Sequence, residues 1–366
     1  MKAIILAAGM GTRLGLDFPK ALVEIDGKTL LEHKIIGLKD NGIDDIYVVV
    51  GKWHEKFPTD LDVKYVVNDE YATTGNSYSF KLALDTCGTD DYIVVMDGDL
   101  MLDYRIYFMI QPKFQYFVDN LNHHWMPGDI GIKTDFNNRI IDLGREYEYC
   151  SMLGMAVYPP EFVRRLYAKL TGKGYDKKDE LIVYVRKLLS NFHAIPEFVP
   201  YPWVELDYQG DVTKALNAFD KPSLETDDSI TLKELNSLYR GMGEFGGLHV
   251  SMRNLDRDST IIKNSTFAVV RRNGRVVGSG RYFTDGAYAV AIWDVMVRPE
   301  YQGQGIGTSI TRRLIESAEK LHPIKIFLIA DPGKESFYEQ FGFKITRAPA
   351  MEKRYDYDRF SPNWNG

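Results

Sequence analysis

The stretch Ala3-Ile4-Ile5-Leu6-Ala7-Ala8-Gly9-Met10-Gly11-Thr12-Arg13-Leu14, followed by Pro19-Lys20-Ala21-Leu22, decides how the first half of this chain is read. It opens as a short apolar run and breaks into glycines. Glycines let a backbone approach an anion closely, and successive N–H groups can cradle phosphate oxygens. Arg13 adds a forked charge and Lys20 a point charge within reach of the same loop. A bare G-x-G also occurs in dinucleotide-binding units, which need an acidic residue near the end of the second strand. Here that strand ends Val50-Gly51-Lys52, so the dinucleotide reading is set aside.

Outward from the loop, strand and helix signals alternate. Lys2–Ala8 reads as a strand. Thr29–Asn41 reads as a helix with Leu30, Leu31, Ile35, Ile36 and Leu38 as its apolar stripe, and His33 falls within it. Asp45–Gly51 and Asp62–Asn68 are strands, Ser77–Asp85 a short helix and Tyr92–Met96 a strand. This rhythm predicts an open, mostly parallel α/β sheet with helices on both faces. Ligands then lie beyond the C-terminal strand ends. Between Asp129 and Pro200 the spacing predicts a hairpin around Asn137-Asn138 and two amphipathic helices, Glu161–Leu170 and Asp179–Ser190. Asp211–Phe219 is a closing helix, and the polar stretch from Asp220 places a boundary near 222.

Asp97-Gly98-Asp99 follows the Tyr92–Met96 strand. Alternate strand residues share a face, so both carboxylates can approach one cation, and Mg²⁺ prefers such oxygen ligands. An Asp pair capping a turn is the alternative at this point. His123-His124 is adjacent rather than at ligand spacing and is assigned to surface or packing.

The string Leu6–Leu14 with Pro19–Leu22 resembles the nucleotidyltransferases that activate sugar phosphates and choline phosphate, which have a Rossmann-like GT-A fold. The resemblance spans about residues 1–220. It implies that the loop holds a nucleoside triphosphate, that Arg13 and Lys20 neutralise its phosphates in a catalytic role, and that pyrophosphate is released. Trp203-Val204-Glu205-Leu206-Asp207-Tyr208 resembles that family's W-x-E-I-D string, which implies Asp99 and Asp207 as Mg²⁺ ligands with Asp97 standing behind them. Asn68-Asp69-Glu70-Tyr71-Ala72-Thr73-Thr74-Gly75-Asn76-Ser77-Tyr78-Ser79 resembles a stretch of cytidylyltransferases acting on phosphocholine or aminoalkylphosphonates, with Gly75 in place of an asparagine. That favours CTP, with UTP or dTTP and a sugar 1-phosphate as the alternative. Leu6, Ala8, Gly9, Gly11, Thr12, Asn76, Ser79 and Asp97 are the expected nucleotide-binding residues. Trp203, Tyr208, Tyr201, Tyr147 and Tyr149 are candidates for an aromatic wall around the acceptor.

The second half changes character. Leu232–Met242 is helical, and Ser265–Arg271 and Arg275–Gly280 flank Asn273-Gly274, a strong hairpin signal. Tyr288–Val297 is a strand, Thr308–Leu321 a helix, Ile324–Ala330 a strand and Ser336–Phe341 the start of a last helix. Between strand and helix lies Arg298-Pro299-Glu300-Tyr301-Gln302-Gly303-Gln304-Gly305-Ile306-Gly307-Thr308. Exposed N–H groups at a helix start suit a pyrophosphate. The Gln302-x-x-Gly305-x-Gly307 pattern, Val276-Val277-Gly278 and Phe337-Tyr338-Glu339-Gln340-Phe341-Gly342-Phe343 together resemble GCN5-related N-acetyltransferases over about residues 225–350. The resemblance implies a GNAT fold and acetyl-CoA bound by Met296, Val297, Gln302, Gly303, Gln304, Gly305, Gly307 and Thr308. It also implies Tyr338 as the acid that protonates the leaving thiolate. Asp294 either orients or deprotonates the amine, or is structural.

Composition agrees with this division. At 366 residues and 45% hydrophobic, the chain has material for two folded domains. The expected bounds are 1–222 for the nucleotidyltransferase domain and 223–354 for the GNAT domain, with 355–366 as a tail. Residues 1–220 carry 24 basic and 33 acidic residues, and the remainder 21 and 18. Neither half has the dense basic face of a nucleic-acid binder. No apolar run is long enough for membrane insertion. Two cysteines, Cys87 and Cys150, make a reducing cytoplasm the simplest setting. A homodimer stays open. The sequence thus predicts a bifunctional enzyme, a Mg²⁺-dependent cytidylyltransferase joined to an N-acetyltransferase whose substrates share a pathway. A glycosyltransferase with an acetyl-CoA-sensing domain is the alternative, since Asp97-Gly98-Asp99 also fits a D-x-D metal motif.

Overall fold

The computed structural model describes residues 1–119, 129–147, 150–220, 224–242, 244–245, 248–249, 255–346 and 351. The expectations for His123-His124, Tyr149, the Lys221–Ser223 link and the 355–366 tail lie outside the described residues. The chain divides into two compact units, Met1–Pro222 and Ser223–Gly366.

In the first unit the strands Ile93–Asp97, Lys2–Ala7, Ile46–Val50 and Lys64–Val67 lie side by side, all parallel. Their side chains alternate between two cores. Ile4 packs with Phe80 and Leu84 of the helix Asn76–Cys87. Ile5 packs with Leu31 and Leu38 of the helix Leu30–Asp40. Burying a leucine in this way stabilises by roughly 1.5–3 kcal/mol. Register brings Leu6 beside Asp97 and Ala7 beside Val50, so the glycine loop and the acidic turn leave the sheet at one edge.

The sheet is mixed rather than mostly parallel. Ser151–Tyr158 runs antiparallel to Ile93–Asp97 and to Gln115–Asp119. The expected hairpin forms from Gly131–Thr134 and Ile140–Gly144. Ser151–Tyr158 was not legible as a strand because Gly154 interrupts its apolar run; its φ of 67° bends the strand where the register against Gln115–Asp119 also shifts. Leu100–Leu102 and Trp203–Glu205 form a separate two-stranded ribbon.

In the second unit the strand order is Glu225–Asp227, Thr266–Arg272, Arg275–Thr284, Ala289–Val297 and Lys325–Phe327, antiparallel except for the last pair. Asn273 and Gly274 both have positive φ, as a tight hairpin turn requires. The helix Ile306–Glu319 covers one face through Ile306, Ile310, Leu314 and Ala318. The helix Leu232–Met242 covers the other through Leu235, Leu238 and Tyr239. The strand expected over Ile324–Ala330 is shorter, Lys325–Phe327.

Candidate active sites

After strand Lys2–Ala7 the glycine loop turns into a single 3₁₀ turn, Thr12–Leu14, entered through Gly11 at a φ of 61°. Beneath it lies a cleft of about 280 Å³ lined by Leu6, Gly9, Gly11, Thr12, Arg13, Lys20, Asp99 and Asp207 among others. A second hollow of about 220 Å³ shares Leu6, Gly9 and Asp99 with it and adds Ala8, Asn76, Ser79, Asp97 and Glu205. Every first-unit residue singled out for nucleotide, metal or catalysis therefore lines one or both halves of a single cleft.

The charges are closely coupled. Lys20 Nζ donates to Asp99 Oδ2 at 3.1 Å and to Asp207 Oδ1 at 2.7 Å, and Arg13 Nη1 to Asp207 Oδ2 at 3.0 Å. The Leu100–Leu102/Trp203–Glu205 ribbon fixes this juxtaposition, and Leu206 N–H donates to the Asp99 carbonyl at 3.0 Å. Burial pulls the Lys20 ammonium down and the two carboxylates pull it up; the carboxylates win. Burial, then the charge of Asp99, pushes the Asp97 carboxyl up to about 7. Crowding by protein, then the charges of Asp99, Asp97 and Asp207, pushes Glu205 up to about 8, although that residue keeps an open edge to solvent.

Sequence reasoning missed three members of this site. Glu205 stands in the Trp203–Tyr208 string, where the resemblance assigns it no role. Asp99, Glu205 and Asp207 each offer an oxygen within 4.8 Å of the others. An all-oxygen set with an excess of carboxylate charge fits Mg²⁺. Lys34 is fully buried, and its Nζ donates to the carbonyls of Gly98 at 2.9 Å and Leu100 at 2.6 Å, the neighbours of Asp99. Burial draws its ammonium down to about 7 against the opposing pull of Asp99 and Asp97. Gly154 faces Asp97, and a Cβ there would lie 2.4 Å from Asp97 Oδ2.

Other expectations land differently. Asn76 lines the hollow, but its Oδ1 accepts from Leu181 N–H at 2.7 Å, at the start of helix Leu181–Leu189. Gly75 stands where the resemblance has asparagine because a Cβ would come 2.3 Å from the Asp179 carbonyl. Of the expected aromatic wall, the described residues Trp203, Tyr208, Tyr201 and Tyr147 do not line this cleft. Trp203 Nε1 donates to Asp119, the Tyr147 hydroxyl donates to Asp142, Arg105 stacks over Tyr201, and Tyr208 is exposed. Tyr71 is the aromatic that lines the cleft among the described residues. His33 is buried, bonded to Tyr104 and the Ile25 carbonyl.

In the second unit, Gln302 Nε2 donates to the Val297 carbonyl at 2.9 Å, closing the loop on the strand. Gly303 and Gly305 take φ of 75° and 78°, which side chains strongly resist. Helix Ile306–Glu319 begins at Gly305 with no side-chain cap, so its first N–H groups, among them those of Gly307 and Thr308, face outward as an anion cradle. Gln304 reaches back only weakly, to the Glu300 carbonyl at 3.5 Å. Met296 is buried and Val297 half-buried at the end of the preceding strand. Phe337 lies where a Cβ on Gly307 would touch it at 3.5 Å, which sets the Glu335–Glu339 helix, and Tyr338 with it, beside the loop. Tyr338 is half-buried against Phe337 and Phe343, and burial raises its hydroxyl pKa, so it stays protonated at neutral pH.

Residues 3–106 match the model of the MobA-like NTP transferase domain, and residues 263–345 that of the acetyltransferase (GNAT) domain. An uncharacterized N-acetyltransferase, ycf52 of Pyropia yezoensis, is 30% identical over 125 residues, 33% of this chain and 68% of that protein. The chain belongs to the GNAT acetyltransferases through its second unit. A MobA-like NTP transferase domain precedes it. The choline-phosphate cytidylyltransferase of Streptococcus pneumoniae is 42% identical over 106 residues, 27% of this chain and 46% of that protein. The chain therefore spans about half the length of this curated relative. The solved structure of CTP:phosphocholine cytidylyltransferase from Streptococcus pneumoniae superposes with a TM-score of 0.53 at 25% identity, over 59% of this chain and 97% of that one. Both domains belong to enzyme families, and Asp97-Gly98-Asp99 falls inside the NTP transferase match. No helix among the described residues is long and apolar enough to cross a membrane.

Proposed function

We propose that the NTP transferase unit moves a cytidylyl group from CTP to a small phosphorylated or phosphonate acceptor, and that the GNAT unit acetylates an amine with acetyl-CoA. The observation that carries the first half is the convergence of Lys20 and Arg13 on Asp99 and Asp207 at the mouth of the glycine loop. In-line attack at the α-phosphorus brings anions together, and catalysis is chiefly positioning and charge neutralisation. The glycine loop supplies backbone donors to the triphosphate. Arg13 and Lys20 counter its charge as pyrophosphate leaves. Asp99 and Asp207, with Glu205 in reach, would hold Mg²⁺, which supplies further neutralisation of phosphate oxygens. The acceptor is already ionised, so no general base is required.

The cytidylyl preference rests on the Asn68–Ser79 string and on the cytidylyltransferase relatives. For the GNAT unit, the loop Gln302–Thr308 would hold the CoA pyrophosphate and Tyr338 would protonate the departing thiolate. Two activities on one chain suggest one pathway, so the acceptor or its product carries a free amine.

The test mixes the full chain with Mg²⁺, each common NTP, and phosphocholine, phosphoethanolamine, aminoethylphosphonate or a sugar 1-phosphate. Pyrophosphate release is read first, then thiol release from acetyl-CoA with the same amines. Release with CTP and an amine-bearing acceptor supports the proposal. Folded, NTP-binding protein that turns over none of these acceptors places the acceptor outside these classes, and absence of NTP binding defeats the first half outright.

A further inference from the structure

Lys34 lies on the inner side of helix Leu30–Asp40 with none of its surface exposed. None of the phosphate chemistry above uses it. An ammonium group carries three N–H donors and is costly to bury without partners. Its partners here are main-chain carbonyls. Lys34 Nζ donates to Leu100 at 2.6 Å, to Gly98 at 2.9 Å and more weakly to Leu30 of its own helix at 3.5 Å.

The first two carbonyls belong to the turn that carries Asp99. That turn joins strand Ile93–Asp97 to strand Leu100–Leu102, and three consecutive carbonyls along it are held. Lys34 takes those of Gly98 and Leu100, and the one between them, on Asp99, accepts from Leu206 N–H at 3.0 Å. Gly98 N–H donates to the Leu6 carbonyl at 2.9 Å. A Cβ on Gly98 would lie 2.9 Å from that carbonyl oxygen and 3.0 Å from Ala7 Cα, so the turn is pressed against the strand that leads into the glycine loop. Helix, strand and ribbon thus each hold the backbone around Asp99. Its side chain is left to meet a ligand, with an oxygen within 4.8 Å of those offered by Glu205 and Asp207. Outer groups that hold a metal ligand in place commonly set metal affinity by roughly 10–100-fold.

We propose that Lys34 is a positioning residue for the divalent-cation site. It holds the peptide groups on either side of Asp99 and so fixes where that carboxylate meets Glu205 and Asp207. The proposal rests on the Mg²⁺ reading of those three carboxylates. A mere counter-charge predicts the opposite sign. The charges of Asp99 and Asp97 act on the Lys34 ammonium, and an ammonium repels a metal cation. Deleting it for its charge alone makes the site more attractive to Mg²⁺, whereas deleting a positioning residue makes it less so.

The experiment titrates Mn²⁺, which shares the oxygen-ligand preference of Mg²⁺, into the full chain and reads free Mn²⁺ by electron paramagnetic resonance. Lys34→Met keeps the stem and removes the donors. Lys34→Gln is the second variant, in case the first does not fold. Asp99→Asn is the control for the site itself. Both Lys34 variants are expected to weaken Mn²⁺ binding by about tenfold or more. In turnover, the Mg²⁺ concentration that half-saturates pyrophosphate release should rise by a similar factor. Unchanged Mn²⁺ affinity overturns the proposal in favour of support of the fold, and tighter binding overturns it in favour of the counter-charge. A turnover loss that is equal at every Mg²⁺ concentration also overturns it. If Asp99→Asn weakens Mn²⁺ and the Lys34 variants do not, the positioning proposal alone fails. If the wild type binds no Mn²⁺, or Asp99→Asn binds it as the wild type does, the Mg²⁺ reading fails and the proposal with it.

Discussion

Gly154 and His33 carry the sharpest expectations at the scale of single residues. Gly154 holds a φ of 67° and leaves the space that Asp97 Oδ2 fills. Gly154→Ala adds a Cβ 2.4 Å from that oxygen, so either the strand or the carboxylate moves. We expect a stability loss of about 1–3 kcal/mol. A misplacement on the order of 1 Å also costs up to about 100-fold in turnover, read as pyrophosphate release. Burial lowers the His33 pKa below its ordinary 6.5, so the folded chain prefers it neutral. Between 6.5 and that lowered value the unfolded chain binds more protons than the folded one. Falling pH through that window therefore favours unfolding. The thermal midpoint of the wild type should drop there, and His33→Gln should flatten that part of the profile; parallel profiles would contradict the assignment.

Elements explain why some of this was legible and some was not. The position of the glycine loop could be read directly, because glycines permit the left-handed turn that Gly11 makes at a φ of 61°. Lys34 is left out of the apolar stripe read for its helix and has no role in that reading. It lies four residues from both Leu30 and Leu38, which are fully buried, so helical spacing placed it inward. Glu205 carried a similar signal, two residues from Asp207 at the end of a strand. Strand Ser151–Tyr158 carries no such periodic signal, since Gly154 breaks its alternation. Helix Leu30–Asp40 presents Lys34 to the acidic turn, and a full capping box starts it. Glu32 N–H donates to Thr29 Oγ1 at 3.1 Å and Thr29 N–H to Glu32 Oε2 at 2.7 Å. Thr29→Ala should cost about 1 kcal/mol, seen as a lower denaturant midpoint with unchanged slope. A neutral result would mean that packing alone sets where this helix begins.

At the scale of the whole molecule, each candidate site is assembled entirely from residues of its own unit. The carboxylate–lysine–arginine cluster lies within Met1–Pro222, and the Gln302–Thr308 loop with Tyr338 lies within Ser223–Gly366. If the two activities are built separately, each should be removable alone. The most direct measurement compares wild type, Lys20→Met and Tyr338→Phe for pyrophosphate release from CTP with an amine-bearing phosphorylated acceptor, and for thiol release from acetyl-CoA with the same amine. We expect Lys20→Met to cut pyrophosphate release by about 100-fold or more with thiol release intact. Tyr338→Phe should cut thiol release by about 10-fold or more, with pyrophosphate release intact. A variant that lowers both activities together, or a Lys20→Met protein that still releases pyrophosphate at the wild-type rate, would contradict the account.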